Sequence, residues 1–183
     1  PGFKLEKSVV KRRVELLEAG GVAMHRNVEI GRDVAFEDLR RRHDAILIAT
    51  GVYKARDLRA PGSGLANIVP ALEYLIASNR KGLGDAVPYF DDGRLDAAGR
   101  KVVVLGGGDT AMDCVRTAVR QGAESVTCLY RRDKANMPGS RREVQYAEEE
   151  GVKFTLLAQP EAFFGDETVS EVRACRVHLG VAD

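Results

Sequence analysis

The segment Lys101–Asp113, KVVVLGGGDTAMD, constrains the fold of this chain more than any other stretch. Val102, Val103, Val104 and Leu105 form an unbroken apolar run, the pattern of a strand buried on both faces of a parallel sheet. Gly106, Gly107 and Gly108 follow, and Asp109–Thr110–Ala111 opens a helix. Read as G-x-G-x-x-A, the spacing gives Gly106 the tight turn and Gly108 the close approach of a pyrophosphate to the backbone. Ala111 is then the small residue that lets helix and strand pack closely. The phosphates would lie on unpaired N–H groups at the helix N-terminus, where the helix dipole favours negative charge. A purely structural glycine turn is the alternative, and the surroundings argue against it. A helix is expected from about Thr110 to Gln121, with Ala111, Val115, Ala118 and Val119 at helical spacing and Gly122 as its stop. Ser125–Tyr130, SVTCLY, then completes a βαβ unit.

The end of that second strand selects the dinucleotide. Units that take NAD usually carry an acidic residue there, roughly 20 residues past the glycines, for the ribose 2′-hydroxyl. This chain has Arg131 and Arg132 instead. A 2′-phosphate is a dianionic partner for two guanidinium forks, and each charge-assisted bond contributes about 1.5–3 kcal/mol before exposure is discounted. The expected cofactor is therefore NADPH. Solvated surface arginines are the alternative, and Asp133 is placed to moderate the preference.

Composition supports a cytoplasmic enzyme segment of α/β class. Lys+Arg 28 against Asp+Glu 27 gives a net charge of +1, which provides no basic field for nucleic acid. No apolar run reaches the ~18 residues that a membrane span needs. The N-terminus, Pro1–Gly2–Phe3–Lys4, has no initiator Met and suggests a piece of a longer chain. Cys114, Cys128 and Cys175 are scattered and expected to be small buried hydrophobes, so no metal site is expected. His25, His43 and His178 show no ligand or catalytic spacing. No acid, base or nucleophile is singled out as catalytic.

Upstream, Ser8 can cap a helix carrying Val9, Val10, Val14 and Leu17 that ends near Gly20–Gly21. Short strands are expected at 22–26 and 28–30, and a brief helix at Phe36–Arg42. DAILIATG, residues 44–51, reads as a buried strand ending in a turn at Thr50–Gly51 where a ligand can approach. Pro70–Arg80 has Leu72, Leu75 and Ile76 at helical spacing, and residues 81–99 read as a loop and domain boundary. Ser140–Arg141–Arg142–Glu143 is a capping box, so a helix is expected from there to Glu150, with Gly151 as its stop. Arg141 and Arg142 belong either to a solvated first turn or to the 2′-phosphate site. Strands are expected at Val152–Ala158 and Val169–Leu179, the second in an antiparallel excursion.

DAILIATG with VYKARDLRAPG, then GGGDTAMDCVRTAVRQGAESVTCLYRRD, then NMPGSRREVQYAEEEGV resemble, in order, the family of small (β) subunits of NADPH-dependent glutamate synthase. The wider family includes the N-terminal part of dihydropyrimidine dehydrogenase. The resemblance implies a two-dinucleotide-binding flavoprotein, with an NADPH domain inserted in an FAD domain. It implies that residues 1–60 close the first half of the FAD domain, 61–99 connect, and 100–183 form an incomplete Rossmann-like NADPH domain. Thr50 and Gly51 would then belong to the motif that closes over FAD, with Tyr53, Lys54 and Arg56 near the flavin or the hinge. Gly106, Gly107, Gly108, Asp109, Thr110 and Ala111 would hold the pyrophosphate, and Arg131 and Arg132 the 2′-phosphate. The intact protein would pass a hydride from NADPH to FAD and electrons through 4Fe-4S clusters, which lie outside this segment. Its partner would be the large (α) subunit, which forms L-glutamate from glutamine and 2-oxoglutarate. The segment alone would be inactive.

Two other readings share these motifs. One is a different NADPH-to-iron–sulfur flavoprotein, ferredoxin–NADP reductase-like or pyrimidine-reducing. The other is a non-catalytic nucleotide-binding scaffold.

Overall fold

A computed structural model describes residues 1–51, 53 and 58–180. The chain divides into two compact units, Phe3–Lys54 and Ala55–Asp183, the latter joined by Pro1–Gly2.

The smaller unit holds helices α1 (Lys7–Ala19) and α2 (Phe36–Arg42). The start of α1 differs from expectation: its N-cap is Glu6, with no side-chain cap bond, and Ser8 lies inside the helix. The strands expected at 22–26, 28–30 and 44–51 do not form. Residues 44–50 belong to no hydrogen-bonded ladder, and Leu47 is 89% and Ile48 69% exposed. An apolar run specifies a strand only when another strand takes up its N–H and C=O groups. Among the described residues none does so for this run, and the unit's single bridge joins Ile30 to Val34.

The larger unit begins with α3 (Ala71–Gly82) and a short α4 (Pro88–Asp91), which lies within the stretch expected to be loop. Pro88 supplies the first helical position, where its missing N–H is no loss. Then come β1 (Lys101–Leu105), α5 (Asp109–Arg120), β2 (Ser125–Tyr130), α6 (Arg141–Glu149) and β3 (Lys153–Leu156). The three strands are parallel in the order β1-β2-β3, with Val104 beside Cys128 and Cys128 beside Phe154. Val102, Val104, Val126, Cys128 and Phe154 therefore share one face, and they pack with Met112, Val115 and Ala118 of α5 and Val144 and Ala147 of α6. The opposite face of β1 is not covered in the same way, because Val103 is 42% exposed. The strand is thus buried on one face rather than two.

Two further differences have local causes. Residues 152–158 are not one strand, because Leu157 takes φ 53 and turns the chain between β3 and β4 (Ala158–Phe164). Its N–H bonds to Arg132 O at 3.1 Å, and its carbonyl accepts from Val177 N at 2.9 Å. The expected antiparallel excursion is present: β4 pairs with β5 (Glu171–Arg176), with a register shift at Pro160/Ala162. On β5, Cys175 is exposed rather than buried, since this outer strand is covered on neither side.

Helices α5 and α6 are joined by charge. The Arg116 side chain, 8% exposed, donates to Glu143 at 2.5 Å and to Glu150 at 3.0 Å, and its guanidinium lies over the Tyr146 ring. Arg120 also bonds Glu150. The helix starts where the capping box expects, but the groups of the box take other partners. The Ser140 hydroxyl makes no cap bond, and the Glu143 carboxylate goes to Arg116. A charge-assisted bond to a buried guanidinium outweighs a bond to a neutral amide.

Arg116→Ala in the full-length protein is expected to lower unfolding stability by about 2 kcal/mol, because two half-shielded carboxylates lose their bonds to Arg116 and Glu150 keeps only Arg120. Burial pushes the Glu150 carboxyl up, but bonds from Arg120 and Arg116 outweigh it and hold the group below its ordinary 4.5. This contribution is complete above pH 4.5 and is lost as pH falls through the depressed value. Acid titration of thermal stability should therefore show a smaller loss in Arg116→Ala than in the wild type.

Candidate functional site

The two parallel strands β1 and β2 end side by side, with Leu105 opposite Leu129. The glycine turn leaves the first strand and the arginine pair leaves the second, so the topology brings these two sets of residues to one sheet edge. Parallel α/β sheets bind ligands at this carboxyl edge.

The turn is anchored from β2. Gly106 N donates to Leu129 O at 3.0 Å, and the Cys128 thiol donates to Gly106 O at 3.1 Å. Burial pushes the Cys128 thiol up to about 11 and the Cys114 thiol to about 12, so both remain protonated and structural at neutral pH. Gly106 takes φ 142, which a residue with a side chain rarely adopts. Ala111 is buried, and its Cβ lies 3.5 Å from the point where a Gly106 Cβ would stand. The small residue at this position keeps α5 close to the turn, as the fingerprint expects.

Gly107 and Gly108 are glycines for different reasons. A Cβ at Gly107 would stand 2.8 Å from the buried ring of Tyr130, whose hydroxyl is tied to Asn136 O at 2.9 Å. Here the fold itself excludes a side chain. Gly108 has φ −90 and ψ 176, ordinary extended backbone, and its Cβ would meet nothing nearer than Pro138 Cγ at 3.9 Å. The protein alone does not require glycine there. A ligand backed onto the main chain would.

Gly108 is also the N-cap of α5, and no side chain caps this helix start. Asp109 and Thr110 are exposed in its first turn. The Asp109 carboxylate accepts from Ser140 N at 2.8 Å, which makes it a contact within the protein. Arg131 and Arg132 are exposed, and neither guanidinium pairs with a described residue. Asp133, expected to moderate them, instead accepts from Asn136 N and Nδ2 at 2.9 and 2.7 Å. The arrangement can hold a diphosphate on the helix start and a further phosphate at the end of the neighbouring strand. Arg141 is exposed in the first turn of α6, and Arg142 donates to the Tyr146 hydroxyl at 2.6 Å.

Thr50 and Gly51 lie in the smaller unit, both exposed, with Gly51 at φ 72. Tyr53 is exposed, and Lys54 and Arg56 lie outside the described residues. Tyr130, Pro138 and Gly139, which motif reading did not single out, face or brace the turn, and so does Ser140, which it read only as a helix cap. Pro138–Gly139 is a turn signal in the sequence, but nothing local indicates what it packs against.

A family model for pyridine nucleotide-disulphide oxidoreductases matches residues 8–180. The chain belongs to that family. Within it, the chain is 67% identical over its full length to the glutamate synthase [NADPH] small chain of Azospirillum brasilense, of which it spans 38%. It is 45% identical to the glutamate synthase [NADPH] small chain of Escherichia coli K12, again over all of this chain and 39% of that one. Mycobacterium tuberculosis FprA in complex with NADPH superposes with a TM-score of 0.69 at 18% identity, over 93% of this chain and 51% of FprA. That likeness establishes a shared fold.

The contrast between the two glycines gives a direct test. Gly107→Ala should lower stability by about 1–3 kcal/mol, because the Tyr130 ring cannot withdraw. Gly108→Ala should leave stability within about 0.5 kcal/mol and still weaken dinucleotide binding by tenfold or more. Thermal unfolding and nucleotide titration of the two full-length variants measure both effects.

Proposed function

We propose that this chain is the NADPH-binding part of a flavoprotein oxidoreductase, the small chain of an NADPH-dependent glutamate synthase. The observation that carries the reading is Gly108: a backbone position where a Cβ would meet nothing nearer than Pro138 at 3.9 Å, at an uncapped helix start and at the same sheet edge as Arg131 and Arg132. Gly106–Ala111 hold the pyrophosphate on the first-turn N–H groups. Arg131 and Arg132 hold the 2′-phosphate, and their lack of acidic partners leaves both forks available to it.

Thr50 and Gly51 contribute to the FAD site. The left-handed backbone at Gly51 suits a tight turn against a ligand. FAD, when bound, supplies the acceptor for a hydride from NADPH. This chain's residues orient the nucleotide and hold its charge, and none of them needs to act as acid, base or nucleophile. The relatives' name extends the reading to a large subunit as partner and L-glutamate as product. Among the described residues no three His, Cys, Asp or Glu side chains converge. No described helix is long and apolar enough to cross a membrane.

Anaerobic titration of the full-length flavoprotein with NADPH and with NADH tests the proposal. NADPH is expected to bleach the flavin at concentrations at least tenfold below those of NADH. Arg131→Ala/Arg132→Ala should raise the NADPH requirement about 10- to 100-fold and leave NADH within about twofold. Equal response of the wild type to both nucleotides would remove the 2′-phosphate assignment, and absence of bound flavin would favour a scaffold.

A further inference from the structure

The stretch Asn136–Ser140 stands across the glycine turn and is held there at three points. Asn136 O accepts from the Tyr130 hydroxyl at 2.9 Å, and the same tyrosine ring lies beneath Gly107. Gly139 N donates to Gly107 O at 2.9 Å, and Ser140 N donates to Asp109 Oδ1 at 2.8 Å. Gly139 is buried, and a Cβ on it would stand 2.9 Å from Gly107 O and 3.3 Å from the Gly108 carbonyl carbon. Between the first and the last two contacts is Pro138, with a fixed φ, facing Gly108. The space in front of Gly108 is therefore bounded by the main chain on one side and by a pinned wall on the other.

Asp109 is the part of this brace that a motif reading would misassign. A carboxylate in the first turn of α5 would repel a pyrophosphate if it faced one. Here it takes the N–H of Ser140 at the N-terminus of α6, where the helix dipole favours negative charge. Resting on the nucleotide assignment above, we infer that Asp109 is a positioning residue. Its carboxylate latches the Pro138–Ser140 wall to the phosphate turn and so sets the width of the pyrophosphate slot without the side chain itself touching the nucleotide.

The latch acts on the diphosphate, which NADPH and NADH share, whereas Arg131 and Arg132 act only on the 2′-phosphate. This difference separates the two assignments experimentally. In the full-length flavoprotein, Asp109→Ala should weaken NADPH and NADH by the same factor, about tenfold. Asp109→Asn keeps an acceptor oxygen and should stay within about twofold of wild type, which a role through net charge would not allow. Gly139→Ala displaces the wall by a different route and should reproduce the Asp109→Ala pattern. Flavin content and Tm, recorded for each variant, identify any general loss of fold. Amide exchange at Ser140 should quicken in Asp109→Ala and not in Asp109→Asn.

The inference is overturned if Asp109→Ala binds as tightly as wild type or more tightly, if Asn fails as badly as Ala, or if the loss is selective for NADPH. A wild-type protein that takes NADH as readily as NADPH overturns the arginine assignment alone, and the Asp109 variants still decide the latch. A wild-type protein that binds neither nucleotide overturns both.

Discussion

The approach of the Gly107 backbone to the face of Tyr130 is the contact on which the larger unit depends. It closes the turn between β1 and α5 against the last residue of β2, so the helix must start where two parallel strands end. The tyrosine reaches past the turn to Asn136 and fixes the loop beyond the arginine pair. The Cys128 thiol and the Leu129 carbonyl secure Gly106 from the same strand. One residue without a Cβ thus places the helix start, the strand-end arginines and the facing wall together. Interiors this dense respond to a single added methyl group.

Charge is used in two opposite ways within a few residues. Arg116 is buried between α5 and α6, matched by Glu143 and Glu150 and stacked near Tyr146, and it serves cohesion. Arg131 and Arg132 are the same residue type left exposed, without acidic partners among the described residues, which is what an incoming phosphate requires. Asp133 follows the pair directly and Asp109 opens the helix at the same sheet edge, and both carboxylates are engaged by backbone N–H groups. Holding these carboxylates on the main chain keeps them from pairing with the arginines.

Much of the larger unit was legible because its signals are local. The βαβ pattern, the G-x-G-x-x-A spacing and the glycine stops at Gly122 and Gly151 each specify their own few residues. The helices at Phe36–Arg42 and Arg141–Glu149 likewise fall where their sequences place them. Misreadings occurred where the deciding partner is distant in the chain. Residues 44–50 have the composition of a strand, but composition supplies no neighbouring ladder. Leu157 gives no hint of a left-handed turn, since its hydrogen bonds run to Arg132 and Val177. The capping box marked the right helix start for a reason that does not operate, because Glu143 meets Arg116 only after α5 and α6 pack.

By itself the sequence determined the type of unit and the order of its elements, and it marked the candidate residues for a dinucleotide. These follow from periodicity, backbone freedom and formal charge, which are properties of short segments. The tertiary structure alone decided which glycine the fold requires, since that depends on whether a Cβ would meet the Tyr130 ring at 2.8 Å, as at Gly107, or Pro138 only at 3.9 Å, as at Gly108. It also decided that Asp109 faces a backbone amide at Ser140, a contact between residues 31 apart in the chain. Such assignments depend on what packing brings within reach, and no local pattern encodes that.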